Sequence, residues 1–144
     1  MVGYVPDMIS VLLMLAPAPV VPRGQTFDCT PVRVWDGDGP LWCAEGPKVR
    51  LARIAAREMD GTCRPGHPCP AASAESARDA LVALVGTPIG RSAQGHVLVR
   101  GPRLSCVSDG LGKADRTAAW CTLPNGRNLS AAMVETGTVM RWGR

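Results

Sequence analysis

The sequence predicts an α+β, mainly β domain: a five-stranded barrel of the OB-fold type with two packed helices. The first reason is the order of elements, which is three strand-like stretches, a helix, about two further strands and a second helix. The second is that the strand-like stretches are short and end at Gly- and Pro-rich turns. A chain of 144 residues normally forms one domain, and an aromatic content of 4% means that its core is aliphatic.

Strands are predicted where β-branched and other apolar residues alternate with polar ones between turn signals. The first strand ends at the Asp-Gly-Asp-Gly turn of residues 36–39. The third, 48–54, directs Val49 and Leu51 inward and Arg50 to the other face. The stretches with a strand pattern are 27–35, 41–44, 48–54, 96–100, 103–108 and 117–123.

The clearest helix is predicted over residues 70–85, where apolar residues recur at helical spacing. A proline begins this stretch and Gly86 ends it, which are favourable residues for the two ends of a helix. A shorter helix is predicted over residues 129–136, with Asn128 as its N-cap and Gly137 just past its end. We expect both helices to pack an apolar stripe against the barrel.

Residues 1–24 are predicted to be an export signal or an apolar N-terminal arm, followed by the barrel domain over residues 25–144. Residues 8–21 are uncharged and mostly apolar, and their number fits the apolar region of a secretory signal better than a membrane span. No Lys or Arg precedes them, which keeps the arm as the alternative. We expect a monomeric domain, exported to the periplasm or outside the cell, without stable membrane insertion.

Six cysteines follow this segment, and an even number in a small exported domain predicts disulfides. The pairs predicted from the spacing are Cys29–Cys43, Cys63–Cys69 and Cys106–Cys121. The first and last pairs lie almost symmetrically about turns at 36–39 and 112–115, so opposed strands bring them together. A zinc site at Cys63, His67 and Cys69 is the alternative, but these three ligands lack a fourth nearby, and we favour the disulfides.

Arginine supplies 14 of the 16 basic residues, and the net charge is +4. The planar guanidinium matches the geometry of phosphate oxygens better than the lysine ammonium does. The composition is therefore compatible with a nucleic-acid partner. A charge of +4 does not by itself require one, because the same surface keeps an ordinary domain soluble.

Four residues suited to phosphate chemistry fall at the ends of predicted elements: Asp38, Arg50, Glu58 and Arg116. A mainly antiparallel barrel brings strand ends and adjoining loops to one rim, so we expect these four side chains to meet. The surrounding motifs are VWDGD at 34–38, VRLARI at 49–54, ARDAL at 77–81, RTAA at 116–119, GRNL at 126–129 and MVETG at 133–137. In this order and spacing, residues 30–142 resemble the thermonuclease (staphylococcal nuclease-like) family.

The resemblance implies an OB barrel that hydrolyses phosphodiester bonds of DNA or RNA, with calcium and with little sequence preference. Carried over by position, Asp38 would bind the metal, and Arg50 and Arg116 would bind the phosphate. Glu58 would position or deprotonate the attacking water. These roles are chemically consistent, because fixed cations stabilise the charge that builds on the phosphate oxygens and calcium prefers carboxylate ligands.

Two positions depart from the family pattern. Gly39 stands where the family has Thr after Asp-Gly-Asp, and Ala55 stands where it has a second metal carboxylate. Asp36 or Asp60 would have to supply that carboxylate instead. The leading prediction is an exported nuclease. Ala55 supports an alternative, a nucleic-acid-binding barrel without turnover, and a third hypothesis is an envelope scaffold that uses the fold alone.

Overall fold

Most of the described chain forms one strongly curled sheet, against which two helices pack. The structure is a computed structural model and describes residues 17–143. Its strands are β1 (Thr26–Cys29), β2 (Pro31–Val34), β3 (Leu41–Cys43), β4 (Lys48–Leu51), β5 (Ile54–Ala55), β6 (Thr87–Arg91), β7 (Val97–Arg100), β8 (Leu104–Leu111), β9 (Arg116–Thr122) and β10 (Met140–Arg141). Its helices are α1 (Ala74–Val85) and α2 (Leu129–Glu135).

The main sheet contains eight strands in the order β1-β8-β9-β4-β3-β2-β7-β6, and β5 pairs separately with β10. Neighbouring strands are antiparallel except for β4 and β9, which are parallel. Only Thr30 separates β1 from β2, and only residues 101–103 separate β7 from β8. At both places the chain bends. The strand before the bend and the strand after it lie near opposite ends of the strand order given above. The sheet is therefore curled into a half-barrel.

The predicted α+β, mainly β class with two helices is confirmed, whereas the sheet has eight strands where the sequence predicts five. Bends account for part of the difference. The N–H of Thr30 donates to the Glu45 carboxylate at 2.7 Å instead of to a neighbouring strand, which divides β1 from β2. A Cβ on Gly101 would overlap the carbonyl oxygen of Val85, so glycine is required where α1 ends against the second bend.

The helix α1 begins at Ala74, four residues later than the predicted start, because Ser73 is its N-cap. The Ser73 hydroxyl accepts a hydrogen bond of 3.1 Å from the N–H of Ser76. The predicted cap of α2 is present: the Asn128 side chain accepts from the N–H of Ala131 at 3.0 Å. The core is aliphatic as expected, and its largest fully buried side chains include Leu41, Leu51, Ile54, Leu81, Leu104, Leu129 and Met133.

All three predicted disulfides are present: Cys29–Cys43, Cys63–Cys69 and Cys106–Cys121. Cys106 and Cys121 are directly opposed in the β8–β9 register, as their symmetry about the hairpin predicts. The first and third bonds lie in the core, whereas Cys63 is half-buried and Cys69 is exposed. The middle bond therefore constrains a surface loop.

The segment 17–24 lies along β8 and β9. The N–H of Ala18 donates to Asp115 at 2.8 Å, the N–H of Val21 donates to the Thr117 hydroxyl at 3.0 Å, and the Ser108 hydroxyl donates to the carbonyl of Val21 at 2.7 Å. Residues 1–16, the rest of the predicted export signal, lie outside the described residues. Within 17–143, no helix is long and apolar enough to cross a membrane.

Candidate active site

Asp38 lies in the turn between β2 and β3, and both the sheet and α1 fix this turn. Its backbone carbonyl accepts a hydrogen bond of 2.9 Å from the N–H of Leu51 in β4. A Cβ on Gly37 would overlap the Cβ of Ala77 in α1, so the turn and the helix are in direct contact. The Asp38 carboxylate is consequently held beside β4.

Arg50, on the outer face of β4, is held by three hydrogen bonds. Its Nη2 donates to Asp38 Oδ2 at 3.3 Å and to the carbonyl of Ile54 at 3.2 Å, and its Nη1 donates to the carbonyl of Leu51 at 3.2 Å. The Arg50 and Asp38 side chains are only 12% and 13% exposed. A guanidinium has five N–H groups, so two remain without a partner among residues 17–143.

The Arg50 guanidinium borders an open cavity of about 320 Å³, called here the Arg50 cavity. Four further basic side chains line it, together with the Asp109 carboxylate: Arg53, Arg64, His67 and Lys113. Arg64 and His67 come from the loop that the Cys63–Cys69 disulfide closes. This loop therefore brings two nitrogen-bearing side chains to the cavity that Arg50 borders.

Trp142 covers one side of this cavity. Its ring stacks on His67, with 3.8 Å between ring centroids and 18° between planes, and its centroid lies 5.2 Å from Arg50 Cζ. The N–H of Trp142 donates to the carbonyl of Arg53 at 2.8 Å, which ties the C-terminal end to the sheet. Burial, together with the charges of Arg50 and Arg64, lowers the pKa of His67 below its usual 6.5, so the ring is neutral at pH 7.

Three of the cations in the Arg50 cavity face a carboxylate. Arg50 pairs with Asp38 at 3.3 Å, Arg53 Nε lies 3.3 Å from Asp109, and Arg64 Nε lies 4.0 Å from Glu58. Lys113 has no such partner among the described residues 17–143. The cavity thus combines guanidinium groups of defined orientation with one additional positive charge.

Glu58 follows β5 in a turn that a backbone hydrogen bond closes. The N–H of Glu58 donates to the carbonyl of Thr62 at 2.8 Å. Its carboxylate is about one-third exposed and lies beside Arg64. Of the four predicted site residues, Asp38 and Arg50 are in direct contact. Glu58 is connected to the Arg50 cavity through Arg64, which lines it.

Asp36, two residues before Asp38, is only 4% exposed. Burial, followed by the charge of the Asp38 carboxylate and hydrogen bonding with it, raises the pKa of Asp36 to about 10. The N–H of Asp38 donates to Asp36 Oδ1 at 3.2 Å. Asp36 is therefore a neutral acid at pH 7.

The residues around Asp38 do not fit a calcium site. Asp38 Oδ2 already accepts from Arg50 and, at 3.2 Å, from the N–H of Ala56. The side chain of Ala55 is buried and has no ligand atom, and Asp36 is protonated. Asp60 is turned to its own loop, where it accepts from the Thr62 hydroxyl at 2.6 Å. In the part of the chain described, no group of three or more His, Cys, Asp or Glu is arranged to hold a metal.

Arg116, the fourth predicted residue, is at the start of β9. In the parallel register, Arg116 is opposite Lys48 and Ala118 is opposite Arg50. Arg116 thus shares the outer face with Arg50 but is displaced by two residues, about 6–7 Å along the strands. It lines a second cavity, of about 250 Å³, together with Trp35 and Trp42.

Sequence reasoning did not assign Arg64, His67 or Trp142 to the site. The spacing of Cys63 and Cys69 was a usable signal for the first two, because a loop closed so tightly holds the residues inside it at a fixed place. No local pattern distinguishes Trp142 from a core residue. Its position depends on the hydrogen bond with Arg53, distant in sequence.

No protein-family model matches this chain, and no curated protein matches it. The function of the protein is therefore inferred from the geometry of its two cavities.

Proposed function

We propose that this protein is a phosphodiesterase of the thermonuclease type, which hydrolyses DNA or RNA in the Arg50 cavity. The observation that carries the proposal is the Arg50 guanidinium, fixed by Asp38 and two backbone carbonyls, with two N–H groups left for a ligand. The neighbouring cations and the Glu58 carboxylate complete a set of groups suited to attack on a phosphate.

The strand arrangement is consistent with an OB barrel of five strands. The bent pairs β1–β2 and β7–β8 each count as one strand in such a barrel, and β6 is an added edge strand. The remaining strands are β3, β4 and β9, which gives five. The five-stranded OB barrel is therefore part of what we propose, together with the resemblance to the thermonuclease family.

In the proposed reaction, the free N–H groups of Arg50 donate to the non-bridging oxygens of the scissile phosphate. Arg64 and Lys113 add positive charge around the same oxygens, where negative charge increases in the transition state. Glu58 accepts a proton from a water whose oxygen forms the new bond to phosphorus. The bond to the leaving oxygen breaks, and solvent supplies its proton.

The alternative is a nucleic-acid-binding domain without turnover. One observation favours it: the Asp38 carboxylate, the predicted metal ligand, is occupied by Arg50 and Ala56, and Ala55 supplies no second carboxylate. If calcium is indispensable to the reaction, the same cations would bind a phosphate and leave it intact.

The two functions are separated by incubating the oxidised protein with single-stranded and double-stranded DNA and with RNA, in calcium, in magnesium and in chelator. We expect cleavage, and we expect Glu58→Gln and Arg50→Ala to abolish it. Glu75→Gln and Arg103→Ala, which alter exposed residues outside both cavities, are the matched controls. Salt-dependent binding without cleavage under every condition would establish the alternative.

A further inference from the structure

A row of charged and aromatic side chains crosses the outer face of the sheet beside the Arg50 cavity. In the strand register, Arg33 of β2 is opposite Trp42 of β3, Trp42 is opposite Lys48 of β4, and Lys48 is opposite Arg116 of β9. Directly opposed residues point to the same face of a sheet. These four residues, called here the cationic row, place two cations against one indole and a third cation on the next strand.

The contacts within the row are close. Lys48 Nζ lies 4.3 Å from the centroid of the Trp42 ring, and Arg33 Cζ lies 5.0 Å from it. Lys48 also pairs with Asp115 at 3.1 Å. Arg33 and Arg116 have no carboxylate partner within 4.0 Å among residues 17–143. The row therefore has two cations available to an anion.

The second cavity opens beside this row and has aromatic walls. His96 contacts both Trp35 and Trp42, with 5.1 Å between ring centroids in each case. The ring of His96 is oriented by Ser92, whose hydroxyl lies 3.1 Å from Nδ1. Burial, with the charges of Arg33 and Lys48, lowers the pKa of His96, so this wall is a neutral ring at pH 7.

The size of this Trp35 cavity limits its occupant. Its volume of about 250 Å³ is below the range of most ligand pockets, about 300–1,000 Å³, and suits one flat ring. The charged residues that line this aromatic pocket are the Lys48–Asp115 pair and Arg116, which has no carboxylate within 4.0 Å among residues 17–143. An aromatic pocket bordered by such an arginine matches a nucleobase joined to a phosphate. A base inside a duplex is stacked and paired, so it cannot enter such a pocket.

We propose that the Trp35 cavity and the cationic row bind one unpaired nucleotide of a single-stranded nucleic acid. The base stacks among Trp35, Trp42 and His96, and its phosphate binds Arg116. This inference rests on the proposed function, because the same strand continues to the phosphate bound at Arg50. The displacement between Arg50 and Arg116, about 6–7 Å along the strands, is of the order of one extended nucleotide.

The test is fluorescence anisotropy of the full oxidised chain with a labelled oligothymidylate of about twelve nucleotides, in chelator and at about 100 mM salt. The comparison probes are an abasic strand of equal length and the corresponding duplex. Stacking of one base corresponds to a factor of about 5 to 150 in affinity. We therefore expect the single strand to bind at least about fivefold more tightly than either comparison probe.

Substitutions test whether the Trp35 cavity causes this preference for the single strand. Trp35→Leu should reduce the preference to less than about twofold and leave the affinity for the abasic strand unchanged. Arg116→Ala should weaken binding of every probe. It should also reduce the slope of log affinity against log salt concentration by the amount expected for about one phosphate contact. Trp120→Leu, on β9 outside both cavities, and the exposed Arg103→Ala are the matched controls, and thermal melts verify that each variant folds.

Equal affinity for the single strand and the abasic strand, or an unchanged preference in a folded Trp35→Leu variant, would overturn the inference. The outcome is separable from that of the proposed function. Glu58→Gln, which removes the proposed base, should retain the preference for the single strand over the abasic strand. Absence of cleavage with the preference intact would overturn the proposed function only, and cleavage without the preference would overturn this inference only.

Discussion

The Arg50 cavity and the Trp35 cavity adjoin on one face of the sheet, yet their charges are organised differently. In the Arg50 cavity each arginine faces a carboxylate, and the Arg50–Asp38 pair is almost buried. In the Trp35 cavity, Lys48 pairs with Asp115, whereas Arg116 there and Arg33 in the adjoining cationic row face no carboxylate among the described residues 17–143. Paired cations are held in one orientation, which suits the stabilisation of a transition state, whereas unpaired cations suit the binding of a flexible polyanion.

The largest expected effect distinguishes the two cavities by kinetics. Arg50→Ala should lower kcat/KM for cleavage about 100- to 1,000-fold, mainly through kcat, because it removes fixed donors to the phosphate. Arg116→Ala should raise KM and change kcat little. Steady-state cleavage of one labelled oligonucleotide measures both. Arg50→Lys is the informative companion, since it keeps the charge and loses the planar arrangement of donors. Equal losses of kcat in Arg50→Ala and Arg116→Ala would contradict the distinction.

The next effect concerns the segment 17–24, which contacts the Trp35 cavity through Asp115. A chain that begins at Gln25 loses the hydrogen bonds of Ala18 and Val21, including those to the buried Thr117 and Ser108. The bond from the Gly24 N–H to the Ser108 carbonyl is lost as well. At about 1 kcal/mol each, the four lost bonds predict a free energy of unfolding lower by about 4 kcal/mol. Urea unfolding of this chain measures the difference, with a chain that begins at Pro17 as the control. Equal midpoints for the two chains would show that the segment contributes nothing.

The Cys63–Cys69 disulfide should matter to the Arg50 cavity alone. Its sulfurs are the most accessible of the six, so a low concentration of reductant should open this bond first, as differential alkylation and mass spectrometry will show. The double variant Cys63→Ser/Cys69→Ser releases Arg64 and His67 and should reduce cleavage about tenfold by lost positioning. Binding of the single strand in chelator should not change. A parallel loss of binding would mean that the loop also supports the Trp35 cavity.

The last comparison is the pH dependence of stability from Asp36. Its folded pKa, about 10, exceeds its unfolded value of 3.8, so the folded state retains a proton that the unfolded state releases. The associated stability is fully present below about pH 4 and is lost progressively as the pH rises towards 10. Asp36→Asn removes this loss. Its melting temperature, relative to the unchanged protein, should therefore rise steadily from pH 5 to pH 9. A constant difference across that range would contradict it.

The sequence predicts those parts of the fold and site that depend on short-range patterns. Two of the cysteine pairs follow from symmetry about turns, and Asp38 contacts Arg50 because β2, β3 and β4 are consecutive antiparallel strands joined by short turns. The strand β6 was missed because Pro88 and Gly90 interrupt it and all five of its residues are exposed, so no alternation marks it.

The separation of Arg116 from the Arg50 cavity has another cause. Its position is set by the parallel register of β4 and β9, which joins strands about seventy residues apart in sequence. No local signal fixes such a register. A slip of two residues would place Arg116 opposite Arg50, and the sequence offers nothing that distinguishes the two arrangements.

The hydrogen bonds of segment 17–24 also constrain the order in which the chain assembles. Its partners Ser108, Asp115 and Thr117 lie 87 to 97 residues later in the sequence. During synthesis, this segment is therefore made well before its partners and acquires its final contacts only after β8 and β9 exist. Until then its N–H and carbonyl groups lack these partners and remain open to water or to any factor that acts on newly made protein. Formation of the β8–β9 hairpin ends that period.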